Sequence, residues 1–174
     1  DIDLLWSPLL TLPGTLPVPG VVTLHDLAVL QHPETLTWRV RLSLMPFLER
    51  TVRQAARILT VSHAMAGEIA RQWPEAAGRI DVAWNGVAAD FRPASAGELV
   101  AIRQRLGLPE KFILFAGTVE PRKNLDLLLD AWAALRGESA DTPPLLVAGP
   151  DGWGSGATHR RMERLAPTGL RRLG

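Results

Sequence analysis

The order of elements along this 174-residue chain predicts an α/β fold built on parallel sheets. Apolar strand candidates alternate with longer helical patterns from one end to the other, the signature of βα units. The run Phe112–Ala116 is apolar throughout, as expected of a strand covered on both faces. Hydrophobic residues make up 47% of the chain and charged residues 21%, a globular balance that excludes a disordered chain.

The first strand is expected at Asp3–Trp6. Leu10 to Pro19, with three prolines and a glycine, must be a loop, and Gly20–Leu24 is the second strand. A helix is expected over Thr37–Ala56, with Pro46 kinking or splitting it. Ile58–Val61 and Ile80–Val82 read as strands flanking a helix at His63–Trp73. Asn85-Gly86 is a turn signal, and Ala88 to Gly97 is rich in alanine, proline and glycine, so a boundary falls after Val87. A new series follows: helix Ala96–Leu106, strand Phe112–Ala116, helix Leu125–Arg136, strand Leu145–Ala148 and helix Thr158–Leu165. Another strand is expected to start after Gly169. Both ends read as cut, so an internal fragment is expected.

Composition excludes several functions. Without cysteine there are no disulfides, thiolate nucleophiles or zinc–thiolate sites, which fits a reducing, cytoplasmic setting. A net charge of +1 gives no general case for nucleic acid as a partner. No run approaches the ~20 apolar residues of a membrane span.

The stretch from Phe112 to Asp130 carries the most chemistry. Gly117 ends the strand, Arg122 and Lys123 follow, and Asn124 is placed to cap the leucine-rich helix behind it. Two cations just before a helix N-terminus, where unpaired N–H groups and the helix dipole already favour an anion, point to a phosphate-bearing ligand. The plain alternative is a solvated pair at a helix entrance.

Gly117-Thr-Val-Glu-Pro-Arg-Lys-Asn124 resembles the donor-diphosphate loop of family 4 glycosyltransferases, the mannosyltransferase-like group of retaining sugar-nucleotide enzymes. Val21–Leu27, Ile58–Ser62, and Trp84–Val87 with Phe91–Pro93 match that family in the required order. The resemblance implies a GT-B fold: two Rossmann-like parallel-sheet domains, each only partly present. Residues 1–88 would be the end of the acceptor-side domain, and residues 89–174 the linker and first part of the donor-binding domain. It implies Gly117, Thr118, Arg122, Lys123 and Asn124 as donor-binding residues, with Lys123 the leading diphosphate contact. Thr118 stands where the family often has arginine, which leaves open whether Arg122 replaces that cation. His25, at the C-terminal end of the second strand, would lie beside the donor sugar and diphosphate; Asp26 would orient the imidazole or cap the next turn. His25 and Lys123 are thus the expected catalytic residues. The paired glutamates that bind donor sugar and ribose in the family would lie beyond Gly174.

Other features take quieter readings. His25, Asp26 and His32 fit no metal-ligand spacing, and no metal or other cofactor is expected. Ser62 reads as an N-cap, and no G-x-S-x-G elbow surrounds it. Gly149–Gly156 is a glycine-rich loop that matches no P-loop or dinucleotide pattern; its plain reading is a flexible connection, and the family resemblance implies a loop near the donor cleft. The helix Thr37–Ala56 mixes apolar residues with Arg39, Arg41, Arg50 and Arg53; its readings are a solvated basic face or peripheral contact with the inner membrane face, where lipid-linked acceptors are found. The arginines from Arg160 to Arg172 take a plain surface reading.

The expected function is transfer of a sugar from a nucleotide-sugar donor to a glycan or lipid-linked acceptor with retention. It would involve domain closure about the Val87–Pro93 linker, and the fragment alone is expected to be inactive. The alternative is a non-catalytic, phospholigand-binding module of flavodoxin-like topology, which predicts one compact domain.

Overall fold

A computed structural model describes residues 1–173. The chain divides into two compact units, Asp1–Asp90 and a second beginning at Phe91, each with its own sheet and core. Two separate sheets run against the flavodoxin-like alternative, which needs all strands in one.

In the first unit, β1 (Leu5–Ser7), β2 (Gly20–Leu24), β3 (Arg57–Thr60) and β4 (Ile80–Val82) lie parallel in that order. Between β2 and β3 come α1 (Ala28–Gln31) and α2 (Trp38–Gln54); between β3 and β4 comes α3 (His63–Gln72). Val22, Leu24 and Ile58 from the sheet pack with Leu48 and Val52 of α2 and Ile69 and Trp73 of α3. The proline-rich loop is tied down as well: Leu12 is buried, and its N–H donates to Thr51 Oγ1 at 3.0 Å. β1 begins at Leu5 rather than Asp3, and β3 at Arg57 rather than Ile58. Pairing with β2 (Leu5 opposite Gly20, Arg57 opposite Val21) decides where each ladder starts.

Pro46 does not split the helix. α2 runs continuously through it. A proline ring holds φ near the helical value, and the carbonyl that loses its helical donor belongs to Leu42, an exposed residue. The short α1 escaped the periodicity because it spans only four residues.

The second unit orders β5 (Ile113–Ala116), β6 (Leu145–Ala148) and β7 (Leu170–Arg172) in a parallel sheet. Its helices are α4 (Ala96–Leu106), α5 (Leu125–Glu138) and α6 (Gly156–Leu165). β5 departs from the expectation of a strand covered on both faces: among the described strands it pairs only with β6, and Leu114 is 52% exposed. The central strand is β6, whose Leu145, Leu146 and Val147 are all buried. Trp132 of α5 is buried, and its indole N–H donates to Pro143 O at 2.8 Å, so the largest core side chain is also polar-satisfied.

Three of the late arginines are structural rather than decorative. Arg161 pairs with Asp126 and Asp130, and Arg171 donates to the carbonyls of Leu106 and Gly107 at the end of α4. Arg172 pairs with Asp151 at 2.8 Å. No helix among the described residues is long and apolar enough to cross a membrane.

Candidate functional site

The expected donor loop leaves the C-terminal end of β5, the edge at which open parallel sheets present ligand sites. Val119 is buried and anchors it. A 3₁₀ turn, Pro121–Lys123, then delivers the chain to α5. Asn124 stands at the N-cap position, but not as a side-chain cap. It adopts the left-handed conformation (φ 49°, ψ 40°), and its amide makes no capping bond. The correction matters, because the leading N–H groups of α5 are left without a side-chain acceptor, while the asparagine tolerates a backbone few other residues adopt.

The two cations are not equivalent. Arg122 Nη2 sits 2.9 Å from Glu120 Oε1, within its own loop. Lys123 is exposed and joins no ion pair among the described residues. Glu120 thus neutralises the arginine and leaves the lysine as the available charge. The methyl of Thr118 occupies the space beside Gly152, directing that side chain at the neighbouring loop.

That neighbouring loop is the glycine-rich stretch after β6, and it is not a free connection. The β5–β6 ladder continues past both strands. Gly117 N–H donates to Ala148 O at 2.9 Å, Val119 N–H to Pro150 O at 2.9 Å, and Gly152 N–H to Val119 O at 3.0 Å. Val119 and Asp151 form a parallel bridge. Glycine is required at 149, where φ is +141° and any Cβ would collide with the Gly117 carbonyl.

In the first unit, His25 and Asp26 follow β2 and are exposed. Asp26 Oδ1 accepts from Ala28 N–H at 3.0 Å, so the aspartate caps the turn. His25 lines an apolar hollow of about 260 Å³ together with Pro8, Leu9, Leu10 and Leu44. Ser62 is the N-cap of α3, its hydroxyl accepting from Met65 N–H at 3.1 Å. His63 meets the ring of Trp84 edge-on, with centroids 5.9 Å apart. His32 stands 3.4 Å from Glu34 on the surface. No cluster of three His, Cys, Asp or Glu side chains with metal-binding geometry occurs among the described residues.

The five donor-loop residues named from the sequence therefore share one loop, and His25 belongs to the other unit. Glu120 lies within the motif but was given no role, and no sequence signal links Asp151, His159 and Arg172, which a loop, α6 and β7 bring together.

α2 exposes an unusual surface. Trp38 is 64% exposed and Leu42 66%, and Met45 and Phe47 are open as well. Arg39 lies over the Trp38 ring at 5.5 Å, and Arg50 over Phe47 at 5.3 Å.

Among solved structures, Anabaena Alr3699/HepE in complex with UDP resembles this chain with a TM-score of 0.64 at 22% identity, over 90% of this chain and 42% of that one. The same protein in complex with UDP-glucose gives 0.61. The likeness defines the fold as GT-B, two Rossmann-like parallel-sheet sets. Residues 1–91 match Glycosyltransferase Family 4, and the chain belongs to that family. It is 33% identical over 147 residues to O-antigen chain mannosyltransferase B of Escherichia coli, covering 83% of this chain and 38% of that protein. It is 37% identical over 110 residues to the D-inositol 3-phosphate glycosyltransferase of Streptomyces scabiei, covering 59% and 24%. The chain thus spans well under half the length of these relatives.

Proposed function

We propose that this chain is part of an enzyme that transfers a sugar from a nucleotide-sugar donor to a glycan or lipid-linked acceptor with retention at the anomeric carbon. The observation that carries the reading is Lys123, a cation without an ion pair among the described residues, just before the N-terminus of α5, which has no side-chain cap, on a loop leaving a parallel sheet at its C-terminal edge. The names of the relatives and the UDP and UDP-glucose complexes of the Anabaena protein support it.

The chemistry follows from charge. Breaking the bond between sugar C1 and the diphosphate oxygen leaves an oxocarbenium-like sugar and a nucleoside diphosphate on which negative charge grows. A preorganised cation and aligned helix amides stabilise that charge more in the transition state than before it. Lys123 and the α5 amides supply both, so the step needs no metal; Gly117, Thr118, Arg122 and Asn124 shape the loop around the phosphates. Resemblance to the family makes His25 the second proposed catalytic residue, acting on the donor sugar or its diphosphate. Calorimetric titration with UDP and GDP tests the reading. Lys123→Ala is expected to weaken binding at least about tenfold, the loss typical of a charge-assisted hydrogen bond. Failure of the unaltered chain to bind either nucleotide, or equal binding by the variant, overturns it.

A cytoplasmic enzyme working on lipid-linked acceptors would gain from contact with an anionic membrane surface. α2 is the element suited to it, since its open aromatic and aliphatic residues sit beside arginines.

A further inference from the structure

The loop bearing Lys123 has little holding it from within. Its own bonds are those of one 3₁₀ turn, Lys123 N–H to Glu120 O and Asn124 N–H to Pro121 O, each 3.0 Å, and the Arg122–Glu120 pair at 2.9 Å. Its lateral support comes from the glycine-rich loop, through Val119, Asp151 and Gly152. What holds that second loop is a cluster of three side chains from three elements. Asp151 Oδ1 accepts from Arg172 Nη2 of β7 at 2.8 Å and lies 2.8 Å from His159 Nε2 of α6. Arg172 also donates to Gly149 O at 3.3 Å, and its Nη1 is 3.2 Å from His159 Nδ1. Guanidinium only donates, so Nδ1 is the acceptor, and the ring proton of a neutral histidine sits on Nε2, which is 2.8 Å from Asp151 Oδ1 without being aligned with it.

We propose that Asp151, His159 and Arg172 are positioning residues that clamp the glycine-rich loop and, through its backbone pairing with Val119, set the place of Lys123. This rests on the donor-site reading only for what Lys123 binds. The cluster also contains the two buried side-chain atoms without an aligned hydrogen-bond partner among the described residues, His159 Nε2 and Arg172 Nε. Buried polar atoms are normally paired. The loop's backbone bonds to Val119 are nonetheless made, Val119 N–H to Pro150 O and Gly152 N–H to Val119 O.

Amide exchange on the unaltered chain and on Asp151→Asn tests the clamp directly. Exchange at Val119 and Gly152 is expected to quicken about tenfold or more, as for loss of one charge-assisted bond, while the amides of α5 and β6 keep their rates. His159→Gln retains a donor and an acceptor and is expected to preserve the slow exchange; His159→Leu is expected to lose it. Unchanged exchange in both Asp151→Asn and His159→Leu overturns the clamp, and so does quickening spread evenly over the whole unit. UDP titration of the same variants separates the two ideas. If the unaltered chain binds UDP, Asp151→Asn is expected to bind about tenfold more weakly, with an unshifted Tm; undiminished affinity overturns the role in placing Lys123. If exchange responds as expected and the unaltered chain binds neither UDP nor GDP, the donor-site reading fails and the clamp stands.

Discussion

Lys123 and Arg122 are neighbours of equal charge with different availability. Glu120 holds the guanidinium of Arg122 at 2.9 Å, so an arriving phosphate must compete with a carboxylate for it. Lys123 meets no such rival among the described residues. The nucleotide titration should therefore be asymmetric. Arg122→Ala is expected to change affinity by less than about threefold, because Glu120 already occupies the guanidinium. Lys123→Ala should cause the large loss, and Lys123→Arg should recover part of it, since charge returns without the compact ammonium geometry. A larger loss from Arg122→Ala than from Lys123→Ala would reverse the assignment.

Two helices carry predictions of their own. α4 opens with a capping box, in which the Ser95 hydroxyl accepts from Glu98 N–H and the Glu98 carboxylate accepts from Ser95 N–H. Arg92 pairs with the same carboxylate at 2.8 Å. The Arg92 guanidinium first, and then the Ser95 amide and hydroxyl, hold the Glu98 carboxyl well below its ordinary value, down to about 2. A depressed folded-state value means the cap supports α4 fully above the ordinary carboxylate range. That support fades as pH falls from the ordinary 4.5 through about 2. A carbon-detected NMR titration should show Glu98 ionised at pH values where free glutamate is mostly protonated, and Arg92→Ala should raise its midpoint. For α2, co-sedimentation with vesicles containing phosphatidylglycerol is expected to capture the chain, and high salt or Arg41→Glu with Trp38→Ala to release it. Equal capture by purely zwitterionic vesicles would remove the electrostatic part of that proposal.

As a whole, the chain holds two parallel-sheet units and spans 38% of the length of O-antigen chain mannosyltransferase B and 42% of the Anabaena protein. In the resembled family paired glutamates bind donor sugar and ribose, and the chain spans well under half of its relatives' length, so we propose that nucleotide binding and turnover separate. The chain by itself is expected to bind a nucleoside diphosphate through the Lys123 loop without transferring sugar. A radiolabelled-sugar transfer assay, with a family member of full length as positive control, tests this. Sugar transfer by the chain alone would show that the site is complete without those glutamates.

Much of this was legible in the residues because it rests on local rules. Gly20–Leu24, Ile80–Val82 and Leu145–Ala148 read correctly as strands, since apolar runs bounded by turn residues are recorded residue by residue. Ser62 read correctly as an N-cap, because capping spans three positions. The family was legible because its motifs are short, contiguous and ordered. Tertiary structure alone decided the exposed face of β5 and the meeting of Asp151, His159 and Arg172. Those outcomes depend on which strands pair and which loops then touch. Pairing is a long-range choice, made by burial over the whole unit, and no window of neighbouring residues contains it.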